Sequence, residues 1–133
     1  MATTRLEIVT PERKVFEQDV DMVVVKGVAG ELGILPNHVP FVTPLKIAPV
    51  KAKIGNEEKF IAVHGGFMEV RKDKVTILAE IAELPEEIDV ERARRARERA
   101  ERRLKSKEEI DFRRAEIALQ KALNRLRVAG YGD

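Results

Sequence analysis

The chain of 133 residues contains no cysteine and no tryptophan, and only 5% of its residues are aromatic. Without cysteine it can form neither a disulfide framework nor a thiol nucleophile. Its only two histidines, His38 and His64, have no serine or threonine beside them in the sequence. A zinc site and a histidine-activated nucleophile are therefore both disfavoured, and we expect no catalytic centre and no catalytic cofactor.

Long apolar runs are also missing. No stretch approaches the roughly 18 apolar residues that a membrane-spanning helix requires, and the first ten residues lack the apolar core of a signal peptide. The phosphate-binding sequence Gly-x-x-x-x-Gly-Lys-Ser/Thr does not occur, and the spacing of Gly27, Gly30 and Gly33 does not fit a dinucleotide fingerprint. We expect an intracellular protein that does not insert into a membrane and is not a P-loop nucleotidase.

The first two thirds of the chain is rich in short segments of β type. Strands are predicted at residues 5–10, 15–16, 20–25, 46–53, 59–63, 67–71 and 75–79, with turns at Gly55-Asn56, His64-Gly65-Gly66 and Lys72-Asp73. Three glycines and three prolines between residues 27 and 44 exclude a helix there. We predict an apolar loop in that region, packed on the sheet or on another subunit. The pattern is typical of an antiparallel β-sandwich.

The last third is helical and carries an internal repeat. The series Arg92, Ala93, Ala96, Ala100, Leu104 recurs twenty-two residues later as Arg114, Ala115, Ala118, Ala122, Leu126. Because a short connection joins the two segments, we predict an antiparallel two-helix hairpin with a seam of small residues. Pro85 precedes the helices. We therefore divide the chain at residue 84, into a β-sandwich of residues 1–84 and a helical hairpin of residues 85–133, an α+β architecture.

Charged residues mark the ends of both helices. Asp89 is placed to cap the first helix, and Ser106 with Glu109 has the spacing of a capping box for the second. Three pairs have the favourable order for ion pairs four residues apart: Glu91 with Arg95, Glu98 with Arg102, and Glu109 with Arg113.

Although the formal net charge is only +2, positive charge is concentrated in the hairpin. One flank of the first helix carries Arg92, Arg99 and Arg103, and the matching flank of the second carries Arg114, Lys121 and Arg125. Three interpretations are open: a solvated helix face, a nucleic-acid-binding module on a β-sandwich, or a face that binds a polyphosphate. Acidic residues interrupt the run and no aromatic residue is placed to stack on bases, which disfavours nucleic acid.

Three motifs together resemble one family. GELGILPNHVP at residues 30–40, IAVHGGFMEV at 61–70 and IDVERA at 88–93 are similar to the epsilon subunit of bacterial F-type ATP synthases. The resemblance covers nearly the whole chain. It implies a β-sandwich of about ten strands, a hairpin of two helices, and a non-catalytic place in the rotor stalk between the gamma subunit and the c-ring. It also implies a peripheral location on the cytoplasmic face of the cell membrane.

The resemblance further implies specific site residues. Glu31 would face the c-ring and His38 the gamma subunit. The family's nucleotide motif is matched by Ile88, Asp89, Arg92 and Ala93, and by position Glu83, Arg99, Lys121 and Arg125 would assist in binding ATP, with or without magnesium. Related bacillus-type sequences carry arginine where this chain has Lys121, and lysine lacks the planar fork of arginine.

The expected mechanism is regulatory. ATP would stabilise the compact hairpin, whereas an extended form of roughly 55–60 Å, at 1.5 Å per residue, would reach the alpha and beta catalytic subunits and inhibit ATP hydrolysis.

Overall fold

In the computed structural model, residues 2–105 and 112–130 are described, and they form a β-sandwich followed by two helices. The strands are β1 Thr4–Val9, β2 Lys14–Val20, β3 Met22–Gly27, β4 Gly30–Ile34, β5 Phe41–Pro44, β6 Ala48–Ile54, β7 Glu57–Val70 and β8 Lys74–Glu83. A 3₁₀ turn, Pro85–Glu87, leads to α1 Val90–Leu104, and α2 spans Phe112–Val128. The predicted fold class is confirmed, with eight strands among the described residues.

Two long strands, β7 and β8, connect the two halves of the sandwich. β6 pairs with the first half of β7 and β5 with its second half, while the remaining strands extend the sheet in the order β2-β1-β8-β7-β6-β3-β4. Alternate residues point inward, as Leu6 and Ile8 do in β1 and Val75 and Ile77 in β8. The core between the halves is almost wholly aliphatic.

The sheet is mixed, which corrects the purely antiparallel prediction. β1 runs parallel to β8, with Leu6 opposite Val75 and Ile8 opposite Ile77, whereas every other pair of strands in the described residues is antiparallel. Parallel neighbours need a long crossover connection. Here strands β2 to β7 form the crossover connection between β1 and β8. No local sequence pattern predicts a pairing between strands so far apart in the chain.

The loop predicted between residues 27 and 44 contains two strands. β4 forms a hairpin with β3, in which Lys26 lies opposite Glu31, and β5 pairs with β7. β4 begins at Gly30 and contains Gly33, and β5 ends at Pro44, so these glycines and prolines exclude a helix but not a strand. The prediction of a helix-free region was right, and the prediction of a loop throughout was wrong.

The predicted turn at His64-Gly65-Gly66 was also wrong, because β7 continues through it. Gly65 and Gly66 have φ of 76° and 119°, and the ladder to β8 keeps one register from His64 to Val70. A Cβ atom on Gly66 would lie 2.1 Å from the carbonyl oxygen of Leu78. These glycines therefore bend a continuous strand and let it approach β8 closely.

The helices form the predicted antiparallel hairpin, but their seam is narrower than the repeat suggests. Ala93, Ala100, Ala115 and Ala122 are buried, whereas Ala96 is half-buried and Ala118 is exposed. The connection predicted over residues 105–110, the Ser106–Glu109 capping box and the Glu109–Arg113 pair lie outside the described residues, except for Lys105, which caps the end of α1.

The predicted ion pairs on α1 differ from those observed. Glu91 pairs with Arg94 at 2.6 Å, three residues away, instead of with Arg95. Arg97 pairs with Glu101 at 3.7 Å, and Glu98 does not pair with Arg102. An acidic residue on α1 often has arginines both three and four residues away, and both lie within reach on a helix. Spacing alone therefore does not predict which arginine forms the ion pair.

Candidate functional site

The N-terminus of α1 is fixed by Asp89. Its carboxylate accepts a hydrogen bond from the backbone N–H of Arg92 at 3.0 Å, and its carbonyl oxygen accepts one from the N–H of Ala93. Asp89 is therefore the predicted N-cap, and it already satisfies an N–H group that an incoming anion would otherwise use.

A cavity of about 650 Å³ lies between the helices and the end of β8. Four arginines from two helices contribute to its wall, together with three carboxylates and two alanines: Arg92, Arg95, Arg99, Arg125, Glu83, Glu87, Asp89, Ala93 and Ala96. The volume lies within the range of about 300–1,000 Å³ that is usual for small-molecule sites. Cations and carboxylates together suit a ligand with both anionic groups and hydrogen-bond donors.

One ion pair joins α2 to the sandwich inside this cavity. The guanidinium Nε of Arg125 donates to Oε1 of Glu83, the last residue of β8, at 2.5 Å. Their side chains are 28% and 24% exposed, so the pair is only partly shielded from water. An anion that competes for Arg125 would share or replace this contact without uncovering a deeply buried charge.

Glu87, which also lines the cavity, is held in place by two hydrogen bonds. Its carboxylate accepts hydrogen bonds from the backbone N–H of Leu84 at 2.9 Å and from the guanidinium of Arg13 at 2.7 Å. The Leu84 N–H, and to a smaller extent Arg13, lower the pKa of Glu87 below its usual range. Glu87 is thus ionised at neutral pH and ties the 3₁₀ turn to the β1–β2 connection.

Beneath α2 lies a histidine with no hydrogen-bond partner. His64 is 1% exposed, and neither ring nitrogen has a partner in the described residues. Burial, together with the smaller effects of the positive charges of Arg125 and Lys121, lowers the pKa of His64 to about 3. His64 is therefore neutral while the hairpin is docked. Its burial was not predicted, because the sequence suggests a turn at this position.

The structure brings together six of the eight predicted nucleotide-binding residues: Glu83, Asp89, Arg92, Ala93, Arg99 and Arg125. Ile88 is buried in the contact between hairpin and sandwich, beside Ala62 and Val128. Lys121 does not line the cavity. It lies close enough to His64 for its charge to affect that ring.

Sequence reasoning missed Glu87, Arg95 and Ala96 as lining residues. Arg95 and Ala96 follow Arg92 by three and four residues, so helical spacing alone could have found them. Glu87 carried no such signal, because its position depends on the 3₁₀ turn.

The two predicted partner residues lie outside this cavity. Glu31 is exposed on β4. His38 is half-exposed in the turn before β5, where its Nδ1 lies 3.0 Å from the carbonyl oxygen of Val39 and its ring centroid 5.3 Å from that of Phe41.

Within residues 2–105 and 112–130 no group of three or more His, Asp or Glu residues is arranged to hold a metal ion. In the same part of the chain, neither helix has the length and apolarity needed to cross a bilayer.

Comparison with known proteins identifies the family. Residues 3–85 match the model of the ATP synthase delta/epsilon chain β-sandwich domain, and residues 86–130 match that of its long α-helix domain. The ATP synthase epsilon chain of Halalkalibacterium halodurans is 60% identical over 132 residues, covering 98% of this chain and 99% of that protein. The epsilon chain of Brevibacillus brevis is 61% identical over 108 residues, covering 80% of this chain and 82% of that protein.

The fold is similar to that of solved structures. A chain of the Euglena gracilis mitochondrial ATP synthase, in an assembly of OSCP, F1 and c-ring, superposes with a TM-score of 0.83 at 26% identity, covering 97% of this chain and 82% of that one. A central-stalk chain from Tetrahymena thermophila, 14% identical with a TM-score of 0.57, covers 88% of this chain and 92% of that one and shares the fold. The chain therefore belongs to the ATP synthase delta/epsilon chain family, as a non-catalytic epsilon subunit of an F-type ATP synthase central stalk.

Proposed function

We propose that the sandwich of residues 1–84 couples the gamma subunit to the c-ring, on the cytoplasmic face of the bacterial membrane. We also propose that the hairpin of residues 85–133 restrains ATP hydrolysis and is itself controlled by ATP. The observation that carries the second part is the cavity that places four arginines of two helices beside Asp89 and Glu83.

The sandwich offers an apolar surface for gamma. Phe67 and Leu78 lie opposite each other on β7 and β8 and are 54% and 56% exposed, and Val42 on β5 is 63% exposed. Large exposed apolar side chains on neighbouring strands are typical of protein-binding surfaces. With His38 in the turn before β5, this surface forms the proposed gamma contact, and Glu31 on β4 forms the proposed c-ring contact.

Truncation tests this division of labour. A chain ending at Ile88 retains the sandwich core and every proposed gamma contact, so it should bind gamma with an affinity within about threefold of the full chain. Pull-down or titration with purified gamma would measure this. Loss of gamma binding by a truncated chain that is still folded would show that the helices are part of the gamma contact.

The hairpin cavity has the chemistry of an ATP site. Arg92, Arg95 and Arg99 lie on one face of α1, at spacings of three and four residues, and Arg125 approaches from α2. One guanidinium group can donate two parallel hydrogen bonds to the oxygens of a phosphate. Carboxylates such as Glu83 accept hydrogen bonds from amino and hydroxyl groups. ATP carries a phosphate chain at one end and a base and sugar with hydrogen-bond donors at the other. It therefore matches both the arginines and the carboxylates of the cavity. A cavity of this size that includes carboxylates also suits a small nucleotide better than a duplex.

Isothermal titration of the full chain with ATP tests this site. Arg92→Ala should weaken ATP binding tenfold or more, because it removes a cation from the middle of the cavity wall. Arg113→Ala is the matched control, since it removes an exposed arginine of α2 that does not line the cavity. Equal ATP affinity for both variants and the unaltered chain would refute the site.

Regulation follows from the two arrangements of the helices. ATP that binds only the docked hairpin stabilises it by about 2.7 kcal/mol at a hundred times its dissociation constant. With ATP scarce, the helices would extend toward the alpha and beta subunits and block rotation in the hydrolysis direction. In a reconstituted F1 complex, deletion of residues after Ile88 should raise ATP hydrolysis at low ATP and change it little at high ATP. An equal effect at both concentrations would refute control by ATP.

A further inference from the structure

Every buried side-chain polar atom that lacks a hydrogen-bond partner within residues 2–105 and 112–130 lies in the contact between α2 and the sandwich. These atoms are Nδ1 and Nε2 of His64 and Oδ1 of Asn124, and the two residues are 1% and 3% exposed. Buried polar groups in folded proteins are almost always hydrogen-bonded. Three exceptions therefore coincide where the hairpin docks on the sandwich.

His64 faces the hairpin because side chains alternate along β7. Val63 belongs to the sandwich core and Ala62 packs against the hairpin, so His64, two residues after Ala62, also points toward the hairpin. The residue opposite His64 on β8 is Ile81, whose side chain has no polar group. Among the described residues, neither the sheet nor the covering helix offers a hydrogen bond to the ring nitrogens.

The His64 ring is uncharged at neutral pH, because burial lowers its pKa to about 3. A neutral imidazole has one N–H donor and one acceptor nitrogen. Water bonds to both when the ring is exposed, whereas the packing of α2 excludes that water and supplies no replacement. The docked arrangement is therefore less stable than it would be with an apolar side chain of similar size at this position.

Asn124 offsets only part of this cost. Its Nδ2 donates to the carbonyl oxygen of Val63 at 3.2 Å, at the point where the pairing of β7 with β6 ends. Its Oδ1 has no partner. A buried polar atom without a partner costs at least as much as one hydrogen bond contributes, so three such atoms outweigh this one bond.

We propose that His64 keeps the docked hairpin detachable at neutral pH. Its two ring nitrogens lack partners while α2 is docked and are hydrated once α2 moves away, so the side chain favours release. This inference rests on the proposed release of the hairpin, and it names the residue that sets how readily release occurs. An apolar residue here would hold the helices on the sandwich without any ligand, whereas His64 leaves docking weak enough for a ligand to shift it.

Hydrogen exchange of α2 in the full chain, at pH 7 and without nucleotide, tests the role of His64. His64→Leu removes both nitrogens and should slow α2 exchange by about tenfold or more. His64→Met should do the same, because methionine is flexible and fits irregular spaces. The substituted residue lies on β7, so the intrinsic exchange rates of the α2 amides do not change.

Two control variants separate polarity from other effects of the substitution. His38→Leu changes the chain's other histidine, which is half-exposed and lies outside this contact, and its α2 exchange should stay within about twofold of the unaltered chain. His64→Gln again places an uncharged donor and an acceptor under α2, so its α2 exchange should stay within about threefold.

The proposal is overturned if His64→Leu and His64→Met do not exchange more slowly than His38→Leu, or if His64→Gln slows exchange as much as they do. It is also overturned if α2 of the unaltered chain exchanges no faster than the fully buried Leu6 and Ile77 of the sandwich, since the helix then does not detach by itself.

A reconstituted F1 complex distinguishes this proposal from the proposed function. His64→Leu should raise ATP hydrolysis at low ATP, because it holds the hairpin in the docked arrangement. If His64→Leu slows α2 exchange in the full chain but leaves hydrolysis unchanged, the role of His64 in docking is supported and the proposed inhibition by the hairpin is refuted.

Discussion

The sandwich and the hairpin differ in what holds them together. Eighteen buried apolar residues form one cluster inside the sandwich, including Ile61, Met68 and Ile77, which are fully buried. The cluster between hairpin and sandwich contains only Ala62, Ile88 and Val128, with Ala129 packed against it. Apolar burial contributes roughly 25 cal/mol per Å², so small side chains supply little. We therefore expect the sandwich to be the more stable part, and we expect a bound ligand or a change in charge to be able to shift the docking of the hairpin.

The largest difference in the free energy of unfolding is expected between two variants of the sandwich. Ile77→Ala removes three carbon atoms from a fully buried side chain in the sandwich core and leaves a cavity, and such changes cost about 2–5 kcal/mol. Leu78→Ala, on the adjacent residue, should change stability by less than about 0.5 kcal/mol because Leu78 is 56% exposed. Urea unfolding of the two variants measures both free energies. Equal effects would mean that the core assignment is wrong.

The stability of the hairpin should depend on side-chain size at a buried alanine of the seam but not at an exposed one. Ala100 is 2% exposed between the helices, whereas Ala118 is exposed. Ala100→Leu should weaken the hairpin by about 1–3 kcal/mol through overpacking, and Ala118→Leu should have little effect. Hydrogen exchange of α1 reports the difference. Equal protection in the two variants would contradict the narrow seam.

Acid should release the hairpin through His64. Its pKa is about 3 when docked and about 6.5 when exposed to water. The docked form is therefore fully favoured above pH 6.5 and loses stability as pH falls toward 3, by about 2 kcal/mol at pH 5. Protonation would place a third positive charge beside Lys121 and Arg125. Among the residues that the structure describes, Arg125 pairs with Glu83 and Lys121 has no ion pair.

Hydrogen exchange of α2 between pH 7 and pH 5, corrected for its intrinsic pH dependence, measures this release. His64→Gln should remove the pH effect, whereas His38→Gln, at the chain's other and half-exposed histidine, should keep it. A pH effect that persists in His64→Gln would assign the transition to another group.

Substitutions at the N-cap of α1 should have the smallest effect on stability, and they separate the role of the cap from that of the charge. Asp89→Ala removes the acceptor for the Arg92 N–H and should cost about 0.5–2 kcal/mol of hairpin stability, whereas Asp89→Asn preserves a good cap. Thermal unfolding followed at 222 nm measures the cost. If Asp89→Asn destabilises the hairpin as much as Asp89→Ala, the charge and not the cap is the important feature.

The fold was largely predictable from local patterns. The turns at Gly55-Asn56 and Lys72-Asp73, the cap at Asp89 and the helical repeat all depend on residues close in sequence, and the structure has each of them. The errors concern distant contacts: the parallel β1–β8 pair, and the continuous β7 whose Gly66 fits under Leu78. Local sequence does not encode which strands become neighbours.

The candidate site was predictable where helical spacing placed its residues. Arg92, Arg99 and Arg125 converge because two antiparallel helices share a repeat. His64 and Asn124 could not be predicted, because each is buried by α2 packing on the outer face of β7. That packing covers both faces of β7 around Ala62, where alternation alone predicts only one buried face.

One distance tests the central claim that ATP holds a weakly attached hairpin on a stable sandwich. Because the chain has no cysteine, Lys72→Cys and Glu116→Cys allow spin labels at one exposed position on each body. Pulsed electron resonance should show a broad distance distribution without ATP and one narrow distance with it, and adding Arg92→Ala should abolish the narrowing. An identical distribution with and without ATP would contradict the account.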